Sequence, residues 1–547
     1  MPSCIETIAD FLSGAGVRRL YGVPGDGASL DLLEAWRKRG LDFVLASDES
    51  AAAIMAATEG ELLGRPGVCV TGPGAGVAGA ARGLAQAFAD RSPVLICTDR
   101  STHKQLSLGG HRALDHLQVL RGVAKDGFGV TASRVERLLS LAWRRAMRSP
   151  AGPIHLDVPA DEAQRPVRGR PGRPGRPPAA ETTHPSPTTI RSAARLLTRR
   201  GRVVVIAGLG CRGDRAARAL RALCGHLGAP VLTTPKAKGV IPEDHALSAG
   251  IFIGGRLDSR LLEKADSVLV VGLDPVELLA RPWSTQTPVL ALNEYRPEPR
   301  PFRPAVEVVG DLAESLAALQ GALPPAGAWG LANWAAQAAA FKAEARRLLV
   351  EASAGRSRAG VAPHRVAAVA REALPRNARA VVDSGAHGLV VANFWESYEA
   401  GGYLCSAGLE ASGYALPAAV AAALAKPGPP VVAFVGDGGF LASLGTLATA
   451  AHRRLPLTVI VFADESLNLI RALQEQRRYA PLGVTLPPTD FPRLAEGLGA
   501  LGIVVESEAE LASALADALV AQQPAVIAVR IRPGGYRRML DSLWGPP

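Results

Sequence analysis

Residues 431–440 read VVAFVGDGGF, a largely β-branched apolar run that suits a strand buried on both faces. Gly436, Asp437, Gly438 and Gly439 then end that strand in a sharp turn. A glycine turn of this kind opens backbone N–H groups toward a helix N-terminus and so suits a diphosphate, while the Asp437 carboxylate suits a hard cation bridging phosphate oxygens. A helix is predicted over 441–454 and a second strand over 457–462, after which stand Ala463, Asp464 and Glu465. Two neighbouring parallel strands would bring Asp437 and Asp464, 27 positions apart, side by side at their carboxyl ends, where open α/β sheets bind ligands. A lone G-D-G is an ordinary turn. The second oxygen ligand at the end of the next strand is what directs the reading to metal-assisted diphosphate binding.

The same alternation extends along the chain. With 547 residues, two to four domains are expected. Strands are predicted over 203–206, 231–233, 267–271 and 380–382, and helices over 215–227 and 334–352. The fold class is α/β, with three doubly wound parallel-sheet domains: an N-terminal domain over 1–165, a central one over 190–325 and a C-terminal one over 361–547. The linkers between them are an Arg/Pro/Gly segment at 166–189, where proline removes donors and glycine adds chain entropy, and a helical stretch at 326–360. The first and last domains each carry a glycine-rich strand-to-helix turn, without a short repeat.

Composition narrows the function. The net charge of +11 invites a nucleic-acid reading, but Arg165, Arg168, Arg170, Arg173 and Arg176 crowd one Pro/Gly segment without interleaved aromatics, so no nucleic-acid partner is expected. The six cysteines are scattered without a C-x-x-C pair, which suggests neither a zinc site nor a disulfide framework and fits the reducing cytoplasm. No secretory leader or membrane-length apolar run is recognisable, so no membrane partner is expected.

The pairing of Asp437 with Asp464 resembles the diphosphate and magnesium motif of thiamine diphosphate enzymes, of the acetolactate synthase-like and benzoylformate decarboxylase-like group. Residues 45–57, LASDESAAAIMAA, resemble the family's R-H-E-x-x-A-A-x-M-A stretch, with Glu49 at the activating glutamate. Residues 21–27 (YGVPGDG), 64–74 (GRPGVCVTGPG), 231–245 (VLTTPKAKGVIPEDH), 382–387 (VDSGAH) and 406–417 (SAGLEASGYALP) resemble further family segments, so the likeness runs over roughly 3–540. It implies thiamine diphosphate and Mg2+ as cofactors, with Asp437, Asp464 and the Ser466 carbonyl on the metal. The diphosphate would lie against Ser384, Gly385, Ala386, His387, Gly436, Gly438, Gly439, Leu467, Asn468 and Leu469. Gly25, Glu49, Gly74, Leu409, Glu410 and Ser412 would lie about the rest of the cofactor. Glu49 would favour the imino tautomer that generates the ylide, and a 2-oxo acid would then lose carbon dioxide to leave an enamine. Transfer of that enamine to an acceptor carbonyl makes a carboligase, and its protonation makes a decarboxylase. The resemblance also implies a homodimer or homotetramer with active sites at the subunit interface.

Departures from the family pattern leave the outcome open. Ser412 falls where relatives carry a bulky Met, Leu or Ile, which also admits a non-catalytic cofactor-binding homologue. Ala113, Leu114, Asp115 and His116 stand where acetolactate synthases have Ala-Phe-Gln-Glu, which weakens acetolactate itself as product. Ile470 stands where pyruvate decarboxylases carry a glutamate, so carboligation is favoured. Asp26, His111 and His116 are candidate proton carriers, with an Asp-Gly turn and surface histidines as the plainer readings. Gly208 to Gly213 (GLGCRG) has the dinucleotide spacing but no acidic residue about twenty positions on, and is read as a structural turn. FAD is left open by the resemblance and is not supported by a motif.

Overall fold

The computed structural model describes residues 1–102, 104–105, 114–167, 183–278, 283, 285–325, 332–353, 360–532 and 536–544. Three six-stranded sheets, parallel throughout, carry the fold. The first contains β1 (Arg19–Val23), β2 (Asp42–Leu45), β3 (Gly67–Thr71), β4 (Val94–Arg100), β5 (Asp126–Gly129) and β6 (Pro153–Pro159), in the order β2-β1-β3-β4-β6-β5. The second contains β7 (Val203–Ala207), β8 (Val231–Thr233), β9 (Ser248–Ile251), β10 (Ser267–Val271), β11 (Val289–Asn293) and β12 (Val306–Val309), in the order β12-β11-β10-β7-β8-β9. The third contains β13 (Arg379–Val382), β14 (Tyr403–Cys405), β15 (Val431–Gly436), β16 (Leu457–Ala463), β17 (Leu501–Val505) and β18 (Ala525–Arg530), in the order β14-β13-β15-β16-β18-β17. The first and third sheets therefore share one topology, as their matching glycine turns suggested, and the central one is wound differently.

Chain order reverses between β13 and β15, so the loops after these two strands flank a topological switch point, where doubly wound sheets open a crevice. β15 pairs with β16 from Val431↔Leu457 to Gly436↔Phe462, which sets Asp437 and Asp464 at the ends of adjacent strands. Both strands are buried along almost their whole length, as near-continuous apolar runs in a parallel sheet should be.

Two compact units are formed: Met1–Glu181 with Gly408–Pro427 and Ser443–Leu455, and Thr182–Ala407 with Gly428–Ala442 and Pro456–Pro547. The C-terminal stretch thus lends two helices, Ala415–Ala425 and Gly445–His452, to the unit of the first sheet. There Arg453 reaches the Asp42 carboxylate at 2.6 Å, and the Thr449 hydroxyl donates to the Leu45 carbonyl at 3.1 Å. The helix expected over 441–454 is in fact two, Asp437–Ser443 and Gly445–His452. All six cysteines are buried and none is in a disulfide, and no helix among the described residues is long and apolar enough to cross a membrane.

Candidate active site

In the first unit, Glu49 opens the helix Glu49–Leu63, whose N-cap Asp48 accepts from the Ala51 N–H. This helix is alanine-rich and almost wholly buried, and small residues let its neighbours approach closely. A Cβ on Gly83 would lie 2.4 Å from the Ser50 carbonyl oxygen, and one on Gly67 only 1.8 Å from that of Ala56. Farther along, Glu59 is fully buried and is satisfied by the Tyr21 hydroxyl at 2.7 Å, Arg65 at 2.8 Å and Arg19 at 3.0 Å. Glu49 itself is only half-buried, and its carboxylate accepts no hydrogen bond from the described residues. Gly76 and Gly79 of the helix Ala75–Ala89 make room for it: a Cβ on Gly79 would lie 2.8 Å from Glu49 Oε2.

The turn of Gly25, Asp26 and Gly27 is organised by Asp99, at the end of β4, which the sequence did not single out. Its carboxylate accepts from the Gly27 N–H at 3.1 Å, the Ser29 hydroxyl at 2.7 Å and the Ser29 N–H. Burial pushes the Asp99 carboxyl above its ordinary pKa. Asp26 is exposed on this turn.

His116, a candidate proton carrier, lies buried rather than at the surface. Its ring is 3 % exposed; Nε2 accepts the Gly74 N–H at 3.1 Å and Nδ1 faces Asp157 at 2.9 Å. A backbone N–H can only donate, so Nδ1 carries the proton toward Asp157, and neither nitrogen is free for a substrate. Thr98 completes the group, donating to Asp157 at 2.7 Å. His111 lies outside the described residues.

The loop of Leu409, Glu410 and Ser412 belongs to the same unit. Gly408 anchors it through its N–H to Asp90 at 2.9 Å, and the Arg82 guanidinium donates to the Ser412 carbonyl. Glu410 takes the left-handed conformation, φ 52°, uncommon for a residue with a Cβ and a feature that gathers at functional loops. Leu409 and Ser412 are exposed.

In the second unit, Asp437 accepts from the Gly438 N–H at 3.1 Å and from the Asp464 N–H at 3.3 Å. Burial, and next the Asp437 charge, raise the Asp464 carboxyl to about 8. Two carboxylates pressed together away from water resist joint ionisation, which a divalent cation between them relieves. Ser466 holds its hydroxyl to the Val484 carbonyl, and its own carbonyl accepts the Asn468 N–H at 2.9 Å with a second lone pair left over. Among the described residues no three His, Cys, Asp or Glu side chains gather as a metal site, so a cation here would draw on the two aspartates, this carbonyl and ligand oxygens.

Across the switch point, Gly385 has φ +141° and leads into the helix Ala386–Phe394. The buried His387 ring packs on Phe462, and its Nε2 has no partner. Burial lowers its pKa to about 4, so the ring is neutral. A Cβ on Gly385 or Gly436 would come within 2.9 or 3.2 Å of this ring, and one on Gly438 within 2.9 Å of Leu467. Ser384 lies in the loop after β13, Gly439 in the helix Asp437–Ser443 and Leu469 in the helix Asn468–Gln476. Bare glycine backbone, an unpaired buried nitrogen and two crowded carboxylates fit a magnesium diphosphate.

In the central sheet, the Gly208 turn is closed on itself. The Glu277 carboxylate takes the Leu209 N–H at 2.9 Å and the Asp274 N–H at 3.1 Å, the place an anion would hold at such a turn, and burial raises its pKa to about 7.

Comparison with known proteins finds matches along the chain. The family profiles described as thiamine pyrophosphate enzyme match in their N-terminal TPP binding domain at 3–119, central domain at 190–319 and C-terminal TPP binding domain at 383–529. The chain belongs to the thiamine pyrophosphate enzyme family, whose members of this kind are lyases and transferases. It is 28% identical over 541 residues to the catabolic acetolactate synthase of Raoultella terrigena, covering 97% of this chain and 95% of that protein. It is 29% identical over 511 residues to a probable 2-ketoarginine decarboxylase of Pseudomonas aeruginosa, covering 90% and 88%. The fold matches the thiamine diphosphate-dependent 4-hydroxybenzoylformate decarboxylase of Rhodococcus jostii RHA1 with a TM-score of 0.82, at 22% identity over 97% of this chain and 99% of that one.

Proposed function

We propose that the protein is a thiamine diphosphate- and magnesium-dependent enzyme that cleaves the bond beside the carbonyl of a 2-oxo acid and passes the resulting acyl-anion equivalent to an acceptor carbonyl. The carrying observation is the pair Asp437 and Asp464 at the ends of β15 and β16, over bare glycine backbone at the switch point. When bound, thiamine diphosphate supplies the electron sink for the carbanion. Asp437, Asp464 and the Ser466 carbonyl would hold the magnesium. Ser384, Gly385, Ala386, His387, Gly436, Gly438, Gly439, Leu467, Asn468 and Leu469 would hold the diphosphate. Glu49, whose carboxylate accepts no hydrogen bond from the described residues, would keep one proton at the aminopyrimidine N1′, and the Glu410 carbonyl would accept from its amino group.

Glu49 of one chain is proposed to serve the metal site of a second, making a homodimer the smallest active form and a homotetramer its natural extension. Carboligation is preferred to simple decarboxylation because Ile470, 47% exposed on the helix Asn468–Gln476, offers no carboxylate there and because acetolactate synthases are among the relatives. The test is carbon dioxide release and product mass from a panel of 2-oxo acids, with and without aldehyde acceptors. An acceptor-dependent adduct is expected. Free aldehyde alone assigns a decarboxylase, and no release with cofactor bound refutes the catalytic reading.

A further inference from the structure

The carboxyl end of β16 has a second flank. On the side of β18, away from β15, lies a cavity of about 410 Å³ between the helix Asn468–Gln476 and the helix Tyr536–Trp544. It shares Asp464, Ser466 and Asn468 with the metal site as a common wall, but takes no lining from β13, β15 or the His387 cradle.

Its polar groups suit an anion. Tyr536 is 6 % exposed, and its hydroxyl has no hydrogen-bond partner among the described residues. The Nε atoms of Arg471 and Arg532 are likewise buried without partners. Arg471 donates to the Thr485 hydroxyl at 3.4 Å and is also drawn to the Asp464 carboxyl, and Arg532 donates to the Gly360 carbonyl at 3.3 Å. Unpaired buried donors are rare in folded proteins, and three converging on one cavity ask for an acceptor with several oxygens. Arg530, paired with Glu506 at 2.7 Å, and Arg537, near Asp541 at 3.9 Å, stand at the rim, against the wall carboxyls Asp464, Glu465 and Glu475.

We propose that this cavity binds a small, multiply charged oxyanion, a phosphate-bearing or polycarboxylate metabolite, at a site separate from the diphosphate cradle. Arg471 and Arg532 bind its oxygens, and the Tyr536 hydroxyl donates to one of them. The site stands whether or not the proposed reaction is correct.

The experiment is calorimetric titration of the full chain, saturated with thiamine diphosphate and magnesium so that the cradle is filled, with inorganic phosphate and separately with citrate. Saturable binding near one anion per chain is expected, weakened about tenfold or more by Arg471→Gln and by Arg532→Gln, as loss of a charge-assisted pair implies. Tyr536→Phe, which removes one oxygen and keeps the packing, should weaken it severalfold. Tighter phosphate assigns a phosphate-bearing ligand, and tighter citrate a polycarboxylate. No saturable heat with either anion at tens of millimolar, or equal affinity in all three folded variants, overturns the proposal. Should the protein not take up thiamine diphosphate, the functional reading fails, and the same variants tested on the cofactor-free chain still decide the cavity.

Discussion

Replacing Gly79 with alanine separates the role of Glu49 from the stability of the fold. The new Cβ would stand 2.8 Å from Glu49 Oε2, 3.4 Å from its Cδ and 3.6 Å from its Cβ, its three nearest neighbours. Ordinary contact therefore requires the carboxylate to retreat by roughly half an ångström, a movement its flexible side chain can make without disturbing the backbone. Alanine in a helix interior is favoured over glycine by about 0.5–1 kcal/mol, so Gly79→Ala should melt at or slightly above the wild-type temperature. Activity should move the other way. If a misplacement of about 1 Å costs on the order of a hundredfold, half of it costs about tenfold. The assay is the initial rate of carbon dioxide release set against thermal unfolding, repeated in a Glu49→Gln background, where the added methyl should have little left to perturb. An unchanged rate, or a loss of the same size in both backgrounds, would refute the reasoning.

Other perturbations test the remaining parts. Asp437→Ala should weaken magnesium-dependent binding of thiamine diphosphate at least a hundredfold by calorimetry, and because it leaves the Gly438 and Asp464 N–H groups without their acceptor the metal-free protein should melt somewhat lower than wild type. The raised carboxyl of Glu277 gives a pH signature. With a folded pKa of about 7 against an ordinary 4.5, its stabilising contribution is complete below 4.5 and is lost as the pH rises through 7. That amounts to about 3 kcal/mol at 1.36 kcal/mol per unit. Glu277→Gln should flatten that slope in urea unfolding at pH 5 and 8. His116→Phe removes a hydrogen-bond partner from the Gly74 N–H and from buried Asp157, which keeps Thr98 and Arg100, and should cost about 1–3 kcal/mol, seen as a fall in melting temperature.

The strands over 231–233 and 267–271 were legible with their bounds because buried parallel strands are continuous apolar runs. So was the meeting of Asp437 with Asp464, since a short helical crossover between two adjacent parallel strands leaves little freedom in where their ends fall. What escaped depends on partners far away in the chain. The helix expected over 441–454 breaks where a Cβ on Gly445 would lie 3.0 Å from the Ser47 Cβ, some four hundred positions earlier. His116 owes its burial to Gly74 and Asp157, and nothing in the residues beside it shows this. Asp99 looks like any polar residue closing a strand until Gly27 and Ser29 fold onto it. The assignment of Ala415–Ala425 to the first unit likewise arises from packing on the helix Glu49–Leu63, which alanine composition permits but does not announce.

The most direct test of the central claim is the exchange rate of the C2 proton of bound thiamine diphosphate, followed by acid quench and proton NMR in wild type and Glu49→Gln. Fast exchange in the wild type, slowed by about two to four orders of magnitude in the variant, is the result expected of a placed proton carrier. Equal exchange rates in the two proteins, with cofactor bound to both, would contradict it.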